Sequence, residues 1–149
     1  MIQLPNDFKE FLKSLSGHEV RYLLVGGYAV TYHGYARSTG DLNIWIPREW
    51  SNAERLERSI REFGFDEPEL SPELFLSERT LVRMGRPPLQ IEILSSVSGL
   101  EFDQCYEHRI VERWDDVDVT LISLADLRTN KRAAGRPKDI EDINRLPEK

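Results

Sequence analysis

The spacing of apolar and chain-breaking residues predicts an α+β chain, built as a mixed β-sheet flanked by helices. Short apolar runs of strand length alternate with stretches whose apolar residues recur at helical spacing. Two pairs of candidate strands, 79–84 with 89–94 and 109–114 with 117–122, lie too close for a helical crossover, while others are separated by a helix. No internal repeat, low-complexity tract or Gly/Ser linker interrupts the 149 residues, so 1–149 is expected to fold as a single domain.

The elements follow in order. Phe8, Phe11, Leu12 and Leu15 share a helical face over 6–16, with Asn6 as the expected cap after Pro5. Tyr22 to Val25 read as a buried strand ending at Gly26-Gly27, and 28–35 as a short helix closed by Gly34. A second strand, 42–46, stops at Pro47. Leu56, Ile60 and Phe63 define a helix over 51–63, with Ser51 and Glu54 spaced as a capping box and Gly64 ending it. One helical turn is expected at 72–76 and a short helix near 102–108, with Asp103 as its cap. Asp115-Asp116 sits between the strands of the second hairpin. Ser123 caps a helix to about Ala134, and Pro137 opens a last helix reaching Leu146.

Composition narrows the function. Hydrophobic residues make up 40% and charged residues 31%, as in ordinary globular proteins. No apolar run approaches the roughly 20 residues that a membrane span requires. The amphipathic start MIQLPNDFKEFLK lacks the apolar stretch of a signal peptide, so a cytoplasmic location and no membrane partner are expected. A net charge of −6 argues against a broad DNA-binding surface, because phosphate binding rests on Lys and Arg. Cys105 is the lone cysteine, which rules out an internal disulfide. His108 stands close enough in sequence to act as its base, but a small half-buried residue on a short helix is the favoured reading.

The informative stretch is VGGYAVTYHGYARSTGDLNIWI, residues 25–46. Asp41 and Asn43 occupy alternate positions of a strand and so project from one face. Oxygen ligands placed this way suit a divalent metal. Gly26 and Gly27 at the start of a helix offer N–H groups to a phosphate, and Ser38 and Thr39 offer hydroxyls. Arg37 could meet a phosphate as well. Glu92 stands inside the apolar run LQIEIL, where an unpaired carboxylate would be costly to bury. The alternative is that Glu92 faces solvent and Asp41 caps a turn.

These residues together resemble the nucleotidyltransferase superfamily, the polymerase-beta-like fold that includes minimal nucleotidyltransferases and AbiEii-type toxins. That family pattern is a hydrophobic residue, Gly, then Gly or Ser, a helix, Asp-x-Asp or Asp-x-Glu on the next strand, and a third carboxylate on a later strand. Val25-Gly26-Gly27, Asp41 and Glu92 match it, whereas Asn43 stands where the second acid is expected. The resemblance implies a nucleotidyltransferase fold, an NTP substrate, Mg²⁺ held by Asp41, Asn43 and Glu92, and transfer of a nucleoside monophosphate to an RNA, protein or small-molecule acceptor. It also implies a bacterial, toxin–antitoxin setting.

Asn43 changes the expected chemistry. An Asn carbonyl can ligate Mg²⁺ but carries no charge. Losing one negative charge about 4 Å from a divalent ion, at an effective dielectric of about 20, costs on the order of 8 kcal/mol before screening. The readings left open are an impaired enzyme whose nucleotide brings its own Mg²⁺, an inactive regulator or antitoxin-like partner, and an Asp deliberately replaced to trap a complex. Near the C-terminus, Arg128, Lys131, Arg132, Arg136 and Lys138 form a basic cluster before an acidic helix. Lys131 and Arg136 are the candidates to hold a triphosphate, or else to pair with Asp139, Glu141 and Asp142. Trp45 is read mainly as core, and His18, His33 and His108 show no metal-ligand spacing.

Overall fold

The protein is described by a computed structural model over residues 2–36, 40–86 and 89–148. Its elements are helix α1 (Asn6–Gly17), strand β1 (Leu23–Val25), α2 (Gly26–Tyr32), β2 (Asp41–Trp45), α3 (Trp50–Phe63), a 3-10 turn (Pro72–Leu76), β3 (Leu81–Arg86), β4 (Leu89–Leu94), α4 (Phe102–Glu107), β5 (Ile110–Trp114), β6 (Val117–Leu121), α5 (Leu124–Ala134) and α6 (Pro137–Arg145). Among the described residues the six strands form one sheet in the order β3-β4-β2-β1-β6-β5. The sheet is mixed: β2 with β4 and β1 with β6 pair parallel, and the other neighbours pair antiparallel. This is the α+β architecture predicted from the alternation of strand and helix patterns.

Side chains alternate across each strand, so the sheet divides the core in two. On one face Leu24, Leu42, Ile44, Ile91 and Ile93 meet Phe8, Phe11, Leu12 and Leu15 of α1, Leu56 and Ile60 of α3, and Phe75. Two serines fasten those helices, with Ser59 Oγ donating to Ser14 O at 2.8 Å and Ser14 Oγ to Ser59 O at 3.2 Å. Buried Asn52 ties α3 to the chain entering β1, accepting from Arg21 N at 2.7 Å and donating to Arg21 O at 3.1 Å. On the other face Leu23, Val25 and Trp45 pack with Ala29, Val30, Phe102, Cys105, Leu127 and Leu146. Trp45 is therefore core, with its ring edge-on to Phe102 at 5.2 Å. The apolar side chains on this face leave part of the sheet uncovered beyond Trp45, and that is where the polar residues of β2 and β4 lie.

Three of the expected caps are displaced by the backbone. Asn6 lies inside α1, because the Pro5 carbonyl already accepts from Lys9 N at 3.1 Å. Trp50 opens α3, the Glu49 carbonyl accepts from Ala53 N at 2.9 Å, and the Ser51 hydroxyl turns to the Glu49 carboxylate. Glu101 precedes α4, which puts Asp103 in the first turn, where its charge suits the helix dipole. Ser123 does cap α5, accepting from Asp126 N at 3.2 Å. Helix α2 starts at Gly26 rather than at residue 28, with φ +71° at Gly26 turning the chain directly out of β1.

Helices α5 and α6 are joined by a buried ionic brace. Lys131 Nζ lies 3.3 Å from Asp139 Oδ1 and 3.1 Å from Asp142 Oδ2, with all three side chains almost fully buried. Arg136 adds a bond from Nε to Asp139 Oδ2 at 2.7 Å, and its own N–H donates to the same carboxylate at 3.1 Å. Burial alone would raise the Asp139 carboxyl, but Arg136 and Lys131 outweigh it and hold it below its ordinary 3.8. A carboxyl depressed by folding contributes stability above its unfolded pKa, and that contribution is lost as pH falls through its folded value. Lys131→Met removes the ammonium shared by two buried carboxylates and is expected to cost about 3–5 kcal/mol in urea unfolding at neutral pH. That difference from wild type should shrink on acidification below roughly pH 4, where carboxylates begin to protonate.

Candidate functional site

Strand register builds the site. In the parallel pair Asn43 stands beside Glu92, and in the neighbouring antiparallel pair Glu92 stands beside Arg83. On the other side Val25 is opposite Asn43. Arg83, Glu92, Asn43 and Val25 therefore form one row across four strands, all on the same face. Asp41 lies two residues earlier on β2, on that same face and beside Gln90. Intervening Leu42, Ile44, Ile91 and Ile93 are buried on the opposite face, which fixes the register: a slip by one residue would turn the polar row into the core.

Hydrogen bonding along the row is specific. Asn43 Nδ2 donates to Glu92 Oε1 at 2.7 Å, and Arg83 Nε donates to Glu92 Oε2 at 2.7 Å. A carboxylate only accepts, so the Asn43 amide must present its NH₂ to Glu92 and its Oδ1 elsewhere. That oxygen points at Gly26: a Cβ built on Gly26 would fall 2.3 Å from Asn43 Oδ1 and 2.8 Å from its Cγ. The glycine is needed here both for its positive φ and for this close approach. The Glu92 side chain is 14% exposed, whereas Arg83 is 60% exposed and reaches over it from the edge strand. Hydrogen bonding to Glu92 and its charge, together with the charge of Asp41, push the Arg83 guanidinium above its ordinary pKa.

Val25, Asn43 and Glu92 of the row line a cleft of about 1490 Å³, while Arg83 holds Glu92 from the sheet edge and is not itself a lining residue. Gly26, Gly27, Asp41, Asn43, Glu92, Lys131 and Arg136, seven residues singled out in the sequence, all line it. Ser38 and Thr39, with Arg37, lie outside the described residues. Lys131 is in the wall but spends its charge on the α5–α6 brace, and the Arg136 guanidinium is bonded to Asp139 although 70% exposed. Three exposed cations that the sequence reading gave no site role also line the cleft: Arg48 after β2, Arg79 before β3, and Lys138 at the start of α6. Arg83 was missed too. Its signal was the close spacing of the two strands, which sets positions 83 and 92 opposite each other once the register is known.

A resident metal does not fit this donor set as it stands. Among the described residues no group of three or more His, Cys, Asp and Glu is placed to hold one. Arg83 already offsets the charge of Glu92, and Asn43 is uncharged and turns its NH₂ rather than its oxygen toward that carboxylate. Cys105, weighed as a nucleophile, is buried, and burial, followed by the charge and hydrogen bond of Asp126, pushes its thiol up to about 12. His108 faces Asp126 at 3.1 Å rather than serving the cysteine. His33 sits against Ile122 O at 2.8 Å, its pKa lowered by burial.

The six-stranded mixed sheet flanked by helices is a fold shared with a solved structure. The crystal structure of a candidate nucleotidyltransferase from Thermotoga maritima superposes with a TM-score of 0.62 over 92% of this chain and 88% of that one, at 13% sequence identity. No protein-family model and no curated protein matches the chain in sequence. Likeness at that identity establishes the fold, and the chemistry has to be argued from the cleft. Gly26→Ala is expected to strain the β1–α2 junction and displace Asn43. The expected loss is about 1–3 kcal/mol by urea titration, the range for a strained backbone position.

Proposed function

We propose that this chain is a nucleotidyltransferase-like protein that binds a nucleoside triphosphate in the cleft, with transfer of the nucleoside monophosphate impaired by Asn43. The observation that supports this most is the convergence of Asp41, Asn43 and Glu92 with Gly26 and Gly27 on one wall of a cleft large enough for a nucleotide. In this reading Mg²⁺ arrives with the nucleotide rather than residing in the protein. Among the described residues, Arg48, Arg79 and Lys138 are the cations available for the phosphates, since Lys131 is committed to the brace. Ser38 and Thr39 remain candidates to add hydroxyl contacts. The acceptor is an RNA, a protein or a small molecule.

A second reading has its own support. The two N–H bonds on Glu92 suit a protein that kept the fold and lost the chemistry, acting as a regulator or antitoxin-like partner in a bacterial toxin–antitoxin setting. AbiEii-type toxins are the resemblance behind that setting.

Titration calorimetry with each NTP at millimolar Mg²⁺ is expected to give saturable heat, and Arg79→Glu should weaken it about tenfold by reversing a charge at the phosphates. No heat with any NTP counts against the nucleotide reading. Asn43→Asp separates the two readings through labelled-NTP transfer. A rise from low to robust transfer supports the impaired enzyme, while a wild type and a variant that both bind without transfer support the regulator.

A further inference from the structure

We propose that Arg83 is the resident cation of this site: its guanidinium and the Asn43 amide together neutralise and orient Glu92, so that the cleft grips a nucleotide without a protein-held metal. The inference deepens the nucleotide-binding reading and rests on it for the identity of the ligand. Its role for Arg83 rests on the geometry of the row alone.

Three features of the row carry it. Glu92 has one oxygen on Asn43 Nδ2 and the other on Arg83 Nε, both at 2.7 Å, so the charge it could offer a metal ion is already shared with a guanidinium. Arg83 comes from the strand adjacent to Glu92 and stands directly opposite it, so β-sheet pairing itself delivers the cation. Finally, Asn43 and Arg83 act in the same sense. Aspartate at position 43 would add a third negative charge beside Asp41 and Glu92, and one guanidinium could not balance three carboxylates. With asparagine there, the guanidinium faces one carboxylate fewer, and the amide supplies a further donor to Glu92. A guanidinium is also suited to the place, since it stays charged at every working pH and binds a carboxylate through a fixed planar fork. Unlike a metal it cannot dissociate.

The geometry distinguishes this from an ordinary surface ion pair. An exposed Arg–Glu pair contributes little because both partners keep their water. Here Glu92 is largely withdrawn from solvent and carries a second donor from a third strand, so that three strands meet at one carboxylate.

The test uses the full chain as wild type, R83Q and N43D/R83Q, with two probes. One is Mn²⁺ alone, followed by melting temperature and by direct titration. The other is the β,γ-imido analogue of ATP, titrated in EDTA and in millimolar Mg²⁺. Wild type is expected to melt at the same temperature with and without Mn²⁺, and to bind the analogue within about threefold equally in the two buffers. N43D/R83Q should melt several degrees higher with Mn²⁺, and its analogue affinity should rise at least about tenfold with Mg²⁺. R83Q keeps Asn43 and frees one Glu92 oxygen, so its Mn²⁺ affinity should exceed that of wild type by at least about threefold. That comparison stands even where the double variant fails to fold.

A Mn²⁺-dependent rise in the wild-type melting temperature overturns the proposal. So does wild-type analogue affinity that drops more than about tenfold in EDTA, or an R83Q protein that binds Mn²⁺ no better than wild type. If the analogue binds in neither buffer, the nucleotide reading fails by itself, and the Mn²⁺ titrations still decide the role of Arg83.

Discussion

Parallel pairing of β2 with β4 holds the cleft in place. It sets Asn43 beside Glu92 and at the same time buries Leu42, Ile44, Ile91 and Ile93 on the far side of the sheet. The polar row is thus positioned by the hydrophobic effect acting on its neighbours. Sliding β2 by one residue would exchange its two faces, bury Asp41 and Asn43 and expose Leu42 and Ile44. Packing by α1 and α3 on the apolar face makes that exchange prohibitive, which is how a helix layer remote from the cleft fixes the alignment of residues within it.

Given that alignment, one atom change at position 43 has a directional consequence. An aspartate there could only accept, and it would repel Glu92 unless a cation bridged them. The amide donates, so the strand pair closes on itself through a direct hydrogen bond. Gly26 makes the arrangement possible by leaving room for the amide oxygen that faces away from Glu92. The charge of Glu92 is moderated in turn by a guanidinium from the sheet edge.

The opposite wall follows the same logic of paired charges. A basic cluster before an acidic helix admits either ligand binding or internal pairing, and for Lys131 the internal pairing is what forms. Burying an ammonium is tolerable only with carboxylates around it, so this lysine closes α6 against α5 and shapes the cleft wall from behind. Among the described residues, exposed cations that line the cleft come instead from the loops before β3 and after β2 and from the start of α6.

Much of this was legible in the chain itself. Helices α1, α3, α5 and α6 and the two hairpins announce themselves through periodicity, glycine and proline, and the alternation of strand with helix gave the mixed sheet flanked by helices. Asp41 and Asn43 were readable as a pair because strand alternation is a local property that needs no partner, and Glu92 joined them only through the family resemblance. Local chemistry was less reliable at helix starts, where Asn6, Ser51 and Asp103 all look like caps and the backbone begins the helix elsewhere. Only the tertiary structure could decide that Arg83 lies on Glu92, that Gly26 makes room for Asn43, and that Lys131 is buried. Each depends on which strands or helices become neighbours and in what register, and a side chain's hydrogen-bond partner across a sheet is settled by the packing of the whole, not by the residues next to it in sequence.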